Sequence, residues 1–187
     1  LTTVRAQAQH DPVARTLQRV AVLDSTFVRL SARLCPWSRH GGHTPGVRLQ
    51  SLLELGHQIP TQVHLTLADA NDHQALLAQD LPPVRGWTLL LDLGYYGHHA
   101  LQHLRRAGVD FVTRLHPQAH YVRTATRPVP AGPTPDGDVI LRDWTITLGS
   151  PRNRRGAVLP GLRLVSSCNP AGQLQHFLTS RQDLCAT

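Results

Sequence analysis

The sequence predicts a mixed α/β fold, and three observations carry that prediction. Two apolar runs, Val20-Ala21-Val22-Leu23 and Leu89-Leu90-Leu91, read as buried strands, and an aspartate closes each one. Two stretches between them, 47–55 and 62–67, alternate in polarity as half-buried strands do. After the second apolar run, strand patterns alternate with a helical one. A meander of three strands followed by strand–helix alternation gives a mixed sheet with helices packed on it.

Each element has its own signal. Residues 1–19 are polar with mixed helical spacing and are expected to be the remnant of a lost N-terminal region. The first strand covers 20–30. Residues 31–45 hold Cys35-Pro36-Trp37-Ser38 and Gly41-Gly42, which read as a loop or wide connection. Strands two and three, 47–55 and 62–67, are turned by 56–60. Asp72 is expected to cap a helix reaching to about residue 80, because its side chain can accept the unpaired backbone N–H groups of the first turn. Pro82 and Pro83 end that helix. The fourth strand is 87–92. Residues 97–107 are helical, with Ala100, Leu101 and Leu104 on one face and Gly108 as the stop. The fifth strand is 110–115. From 116 to 178, prolines, glycines and short apolar runs at 139–141, 144–148, 162–166 and 173–178 mark a β-rich insertion rather than a second domain.

Composition narrows the function classes. A chain of 187 residues suits one domain with a sizeable core. The net charge of +7 and isoelectric point of 10.6 favour a polyanionic partner. All 19 basic residues are arginine, which speaks more of coding bias than of function. Three widely spaced cysteines, Cys35, Cys168 and Cys185, form no disulfide framework and fit a reducing cytoplasm. No apolar run reaches membrane-span length and no signal peptide is evident, so a soluble, intracellular protein is expected.

The aspartates closing the two apolar strands, Asp24 and Asp92, are the chief candidate site. A carboxylate at the mouth of a buried strand is costly unless paired, hydrogen-bonded or holding a metal. Two of them on strands that can lie side by side point to a shared cation, the geometry of metal-assisted phosphoryl chemistry. Histidines offer less. His99 and His103 have i, i+4 spacing, and Cys35, His40 and His43 lie close in sequence, but neither group is a complete zinc set. Tyr95 and Tyr96 either close the core or stack on nucleic acid.

These residues resemble a family. Asp24-Ser25-Thr26, Gly46-Val47-Arg48-Leu49-Gln50, Gly56-His57-Gln58-Ile59-Pro60, Ala70-Asn71-Asp72, Asp92-Leu93-Gly94-Tyr95-Tyr96 and Phe111-Val112-Thr113-Arg114-Leu115 follow, in order, the motifs of bacterial insertion-sequence DDE transposases. The resemblance is to the subgroup whose third acid sits in a Tyr-Arg-Glu-Lys signature, and it runs from about residue 20 to 178. Leu93 stands where the family often has Arg, and Arg48 where Lys is common; neither change removes a carboxylate. The resemblance implies a ribonuclease-H-like catalytic core over 20–187, with Asp24 and Asp92 as catalytic metal ligands. It also implies Mg²⁺ or Mn²⁺ as cofactor and DNA, both transposon ends and target, as partner. A homodimer in a synaptic complex and a cytoplasmic, nucleoid-associated location follow from the same likeness.

The third acid has no match. The single glutamate, Glu54, precedes Asp92 and falls on a meander strand, and none of Asp110, Asp136, Asp138, Asp143 and Asp183 has the signature around it. With Leu1 in place of an initiator Met, this leads to the expectation of a truncated catalytic domain. Arg152, Arg154 and Arg155 form the sharpest basic cluster, with Arg105 and Arg106 second; both are candidate DNA-phosphate contacts. Two rivals remain: a non-catalytic transposase remnant that binds DNA or interferes with the full-length enzyme, and a ribonuclease-H-like nuclease using the same aspartates.

Overall fold

The computed structural model describes residues 17–31, 33, 35, 37, 45–67, 72–78, 84–150 and 157–184. The fold is mixed α/β, with mixed sheet pairing and few helices. The chain divides into two compact units, Leu1–Tyr95 and Tyr96–Thr187.

In the first unit, β1 (Val20–Arg29), β2 (Gly46–Glu54) and β3 (Ile59–Leu67) form an antiparallel meander, and β4 (Thr88–Leu91) pairs parallel to β1 on its other side. The order is therefore β3-β2-β1-β4, with β1 inside, as its apolar start requires. Ala21, Leu23, Leu52, Leu89 and Leu91 are buried in the core of this unit. Helix α1 (Asp72–Ala78) buries Ala75 and Leu76 and packs against a 3₁₀ turn at Leu93–Tyr95. Asp72 is the first described residue of that helix, and the residues before it lie outside the described residues. Residues 79–83, including Pro82 and Pro83, lie outside the described residues, as do His40, His43, Gly41 and Gly42.

In the second unit, α2 (His98–Ala107) buries Ala100, Leu101 and Leu104 and stops at Gly108, whose φ of 72° is the left-handed conformation a helix stop uses. Strand β5 (Asp110–Arg114) follows, then β6 (Tyr121–Thr126), β7 (Val139–Leu148), β8 (Leu159–Cys168) and β9 (Leu174–Thr179). Their antiparallel order is β5-β9-β8-β7-β6. Two expectations change here. β7 is continuous where two short strands were expected, because Asp143 is buried against Arg163 of β8 at 2.8 and 2.5 Å. β6 was not foreseen: all six of its residues are exposed, so it carries no alternation of polarity. Among the described residues, no helix is long and apolar enough to cross a membrane.

Candidate active site

Strand register brings the two expected aspartates together. Leu23 of β1 lies opposite Leu91 of β4, the last pair of that parallel ladder. Both leucines are buried, and the residue after each, Asp24 or Asp92, is exposed. Parallel pairing is what makes this possible, since both chains then leave the ladder at the same end. The Asp92 carboxylate accepts the Gly94 backbone N–H at 2.9 Å, which fixes its orientation at the start of the 3₁₀ turn.

A third aspartate joins them. Asp72, Ala75 and Leu76 have the i, i+3, i+4 spacing of one helix face, so burying the two apolar residues turns Asp72 toward the 3₁₀ turn. Gly94 makes room for it. A Cβ at Gly94 would stand 2.7 Å from Asp72 Oδ2 and 3.1 Å from Asp92 Oδ1, closer than packed atoms sit. The other Asp72 oxygen, Oδ1, accepts Arg48 Nη1 at 2.9 Å, and the same nitrogen donates to Ser25 Oγ at 3.3 Å. Arg48 Nε is buried and has no hydrogen-bond partner among the described residues.

Tyr95 sits under this group, fully buried. Burial pushes its hydroxyl well above the ordinary tyrosine range; Asp72 adds to the rise, and Asp92 and Asp24 contribute less. Ser25 acts in the opposite direction, although the hydroxyl makes no hydrogen bond of good geometry. All three carboxylates therefore act on a single phenol. Tyr95 belongs to the core. Tyr96 is half-buried, its pKa pushed up to about 12 by burial, and lines a cavity of about 320 Å³ with His98, His116 and His120.

The chemistry of Asp24 and Asp92 fits a hard divalent cation, since Mg²⁺ takes one or two carboxylates plus water and phosphate oxygens. Among the described residues, no group of three or more His, Cys, Asp or Glu side chains is arranged to hold a metal ion. Three other acids are engaged elsewhere. Glu54 pairs with His57 at 2.6 Å, Asp143 with Arg163, and Asp183 with Arg181 at 2.6 Å. The Arg181 hydrogen bond holds the exposed Asp183 carboxyl down at about 2.

Of the basic candidates, Arg152, Arg154 and Arg155 lie outside the described residues. Arg105 and Arg106 are exposed in the last turn of α2, where positive charge suits the helix dipole, and Arg105 Nη1 donates to Pro160 O at 2.8 Å. Sequence reasoning missed a third basic feature: Arg123 and Arg142 lie over the Trp144 ring, 5.3 and 5.0 Å from its centroid. The i, i+2 spacing of Arg142 and Trp144 on a strand was the available signal.

Residues 15–157 match the model of the transposase DDE domain. The chain belongs to the transposase DDE domain family. No curated protein matches the sequence. Among solved structures, the piggyBac transposase synaptic complex with hairpin DNA is similar over 89% of this chain and 34% of that chain, at 11% identity and a TM-score of 0.49. This transposase-domain chain thus spans about a third of the length of that protein.

Proposed function

We propose that this transposase domain is of the insertion-sequence type and belongs to an enzyme of metal-dependent DNA strand cleavage and transfer, with residues 20–187 in its catalytic core and Asp24 and Asp92 as two of its metal ligands. The observation that carries this reading is the Leu23–Leu91 register, which delivers two exposed carboxylates to one end of a buried parallel ladder. Mg²⁺ or Mn²⁺ bound there would activate a water or a DNA 3′-hydroxyl as the nucleophile. The chain's own part is to orient oxygens. Gly94 N–H holds the Asp92 carboxylate, and β1 holds Asp24 beside it. DNA, at transposon ends and at the target, is the partner this reading requires, with a synaptic homodimer to join two ends. Arg152, Arg154, Arg155, Arg105 and Arg106 supply phosphate contacts.

A second reading is favoured by the engagement of Glu54, Asp143 and Asp183 in ion pairs. With those acids paired elsewhere and Asp72 held by Arg48, the domain binds DNA without completing catalysis. Supercoiled DNA carrying the element's ends, incubated with Mn²⁺, separates the readings. Metal-dependent nicks that disappear in Asp92→Asn support cleavage. Metal-independent binding without nicks supports the second reading. Degradation of an RNA–DNA hybrid lacking such ends would replace both with a nuclease.

A further inference from the structure

Arg48 is a cation paired with Asp72 next to the expected metal-binding aspartates. Its Nη1 is shared between Asp72 and Ser25, the residue after Asp24, and the other oxygen of Asp72 lies against the Gly94 position beside Asp92. The side chain keeps 25% of its surface exposed, so it is reachable, yet its Nε–H is buried and has no acceptor among the described residues. A buried donor left without an acceptor is destabilising. The Tyr95 hydroxyl, next to the same Ser25 and Asp72, also lacks a hydrogen bond of good geometry. Tyr95 is fully buried, so the partly exposed Arg48 guanidinium is the group that can meet an acceptor oxygen from outside. The aspartates suit the cation, and the guanidinium suits an anion.

We propose that Arg48 contacts a DNA phosphate oxygen at the acidic centre and that Asp72 is the positioning residue that holds it there. This rests on the DNA-processing reading above and names a substrate contact within it. A guanidinium presents several N–H donors in a rigid fork, which lets one edge stay tied to Asp72 while another meets phosphate. Asp72 at 14% exposure is the tether, and its 2.9 Å charge-assisted bond fixes the fork. Without that tether the long side chain would be free to leave the site.

The test is the salt dependence of binding to a short DNA duplex by the whole chain. Arg48→Gln should lower the slope of log affinity against log salt by about one, and Arg48→Lys should keep it. Asp72→Asn should lower the slope as Arg48→Gln does, and the double variant should lose no more than either alone. A merely structural Asp72 would move the melting temperature and leave the slope unchanged. The chain contains no lysine, so Arg48→Lys introduces its single ε-amine. After reductive ¹³C-methylation that amine gives one resonance, which duplex DNA should shift; this readout stands even if Arg48→Gln does not fold. An unchanged slope in folded Arg48→Gln, or a resonance unmoved at saturating DNA, overturns the proposal. A Mn²⁺ stabilisation that needs Asp24 and Asp92 and persists in Arg48→Gln would show the metal centre intact while the phosphate contact stands or falls separately.

Discussion

Asp24 and Asp92 each follow a buried leucine, and those leucines, Leu23 and Leu91, face each other across a parallel ladder. That pairing turns a distant sequence relationship into a local one. It also explains why Tyr95, just beyond Asp92, feels both aspartates together with Asp72.

The crowding at Gly94 gives a first prediction. Gly94→Ala places a methyl against Asp72 Oδ2 and Asp92 Oδ1, so the carboxylates must move apart. Overpacking of this kind costs about 1–3 kcal/mol. Urea unfolding should show a loss at the low end of that range, because the turn is exposed. Stability equal to wild type would mean that the close approach has no consequence.

Alkaline pH should unfold the protein by way of its raised tyrosines. Tyr95 and Tyr96 bind their protons more tightly in the folded chain than the ordinary value of 10.0. Their contribution to stability is therefore complete below pH 10. It is lost as pH rises from there, through about 12 for Tyr96 and higher for Tyr95. Tyrosinate absorbance should show late-titrating steps that disappear in Tyr95→Phe and Tyr96→Phe. Titration of all three tyrosines as one ordinary step would contradict this.

DNA binding is expected to be weak, insensitive to sequence and steeply salt-dependent, because phosphate neutralisation releases counterions. Replacing Arg152, Arg154 and Arg155 with Ala should reduce the salt slope by up to about three. An unchanged slope would place that cluster on a face that DNA does not meet.

Strand transfer should not be completed by these 187 residues. The two-ion mechanism needs both metals held about 4 Å apart, and Asp24 and Asp92 alone leave one poorly anchored. Loss of a member of a catalytic set commonly lowers the rate by several powers of ten. With Mg²⁺ and DNA carrying the element's ends, trace nicking and no joined product is the expected result. Robust joining would make Asp183 the first residue to mutate.

What the sequence revealed follows the physics of burial. The apolar runs of β1 and β4, each ended by a carboxylate, announced both strands and the candidate pair, because a charge at a buried strand end is conspicuous. The face of α2 and its stop at Gly108 were equally plain. Asp72 was legible as a residue of a helix start, and its spacing to Ala75 and Leu76 held the further signal that it shares their face. β7 seemed broken at Asp143 because the partner that permits its burial, Arg163, is far away in sequence. β6 has no buried face to leave a pattern. Arg48 was visible only as a basic motif position: its role as counter-ion depends on β2 and α1 meeting, which only tertiary structure shows.

Metal-dependent thermal stability tests the central claim most directly. A ligand that binds only the folded state stabilises it by mass action, so Mn²⁺ should raise the melting temperature in a concentration-dependent way. The rise should be modest with two carboxylate ligands, and absent in Asp24→Asn, in Asp92→Asn and in the double variant. A Mn²⁺ shift in the double variant equal to that of wild type would contradict the assignment of Asp24 and Asp92 as a shared metal site.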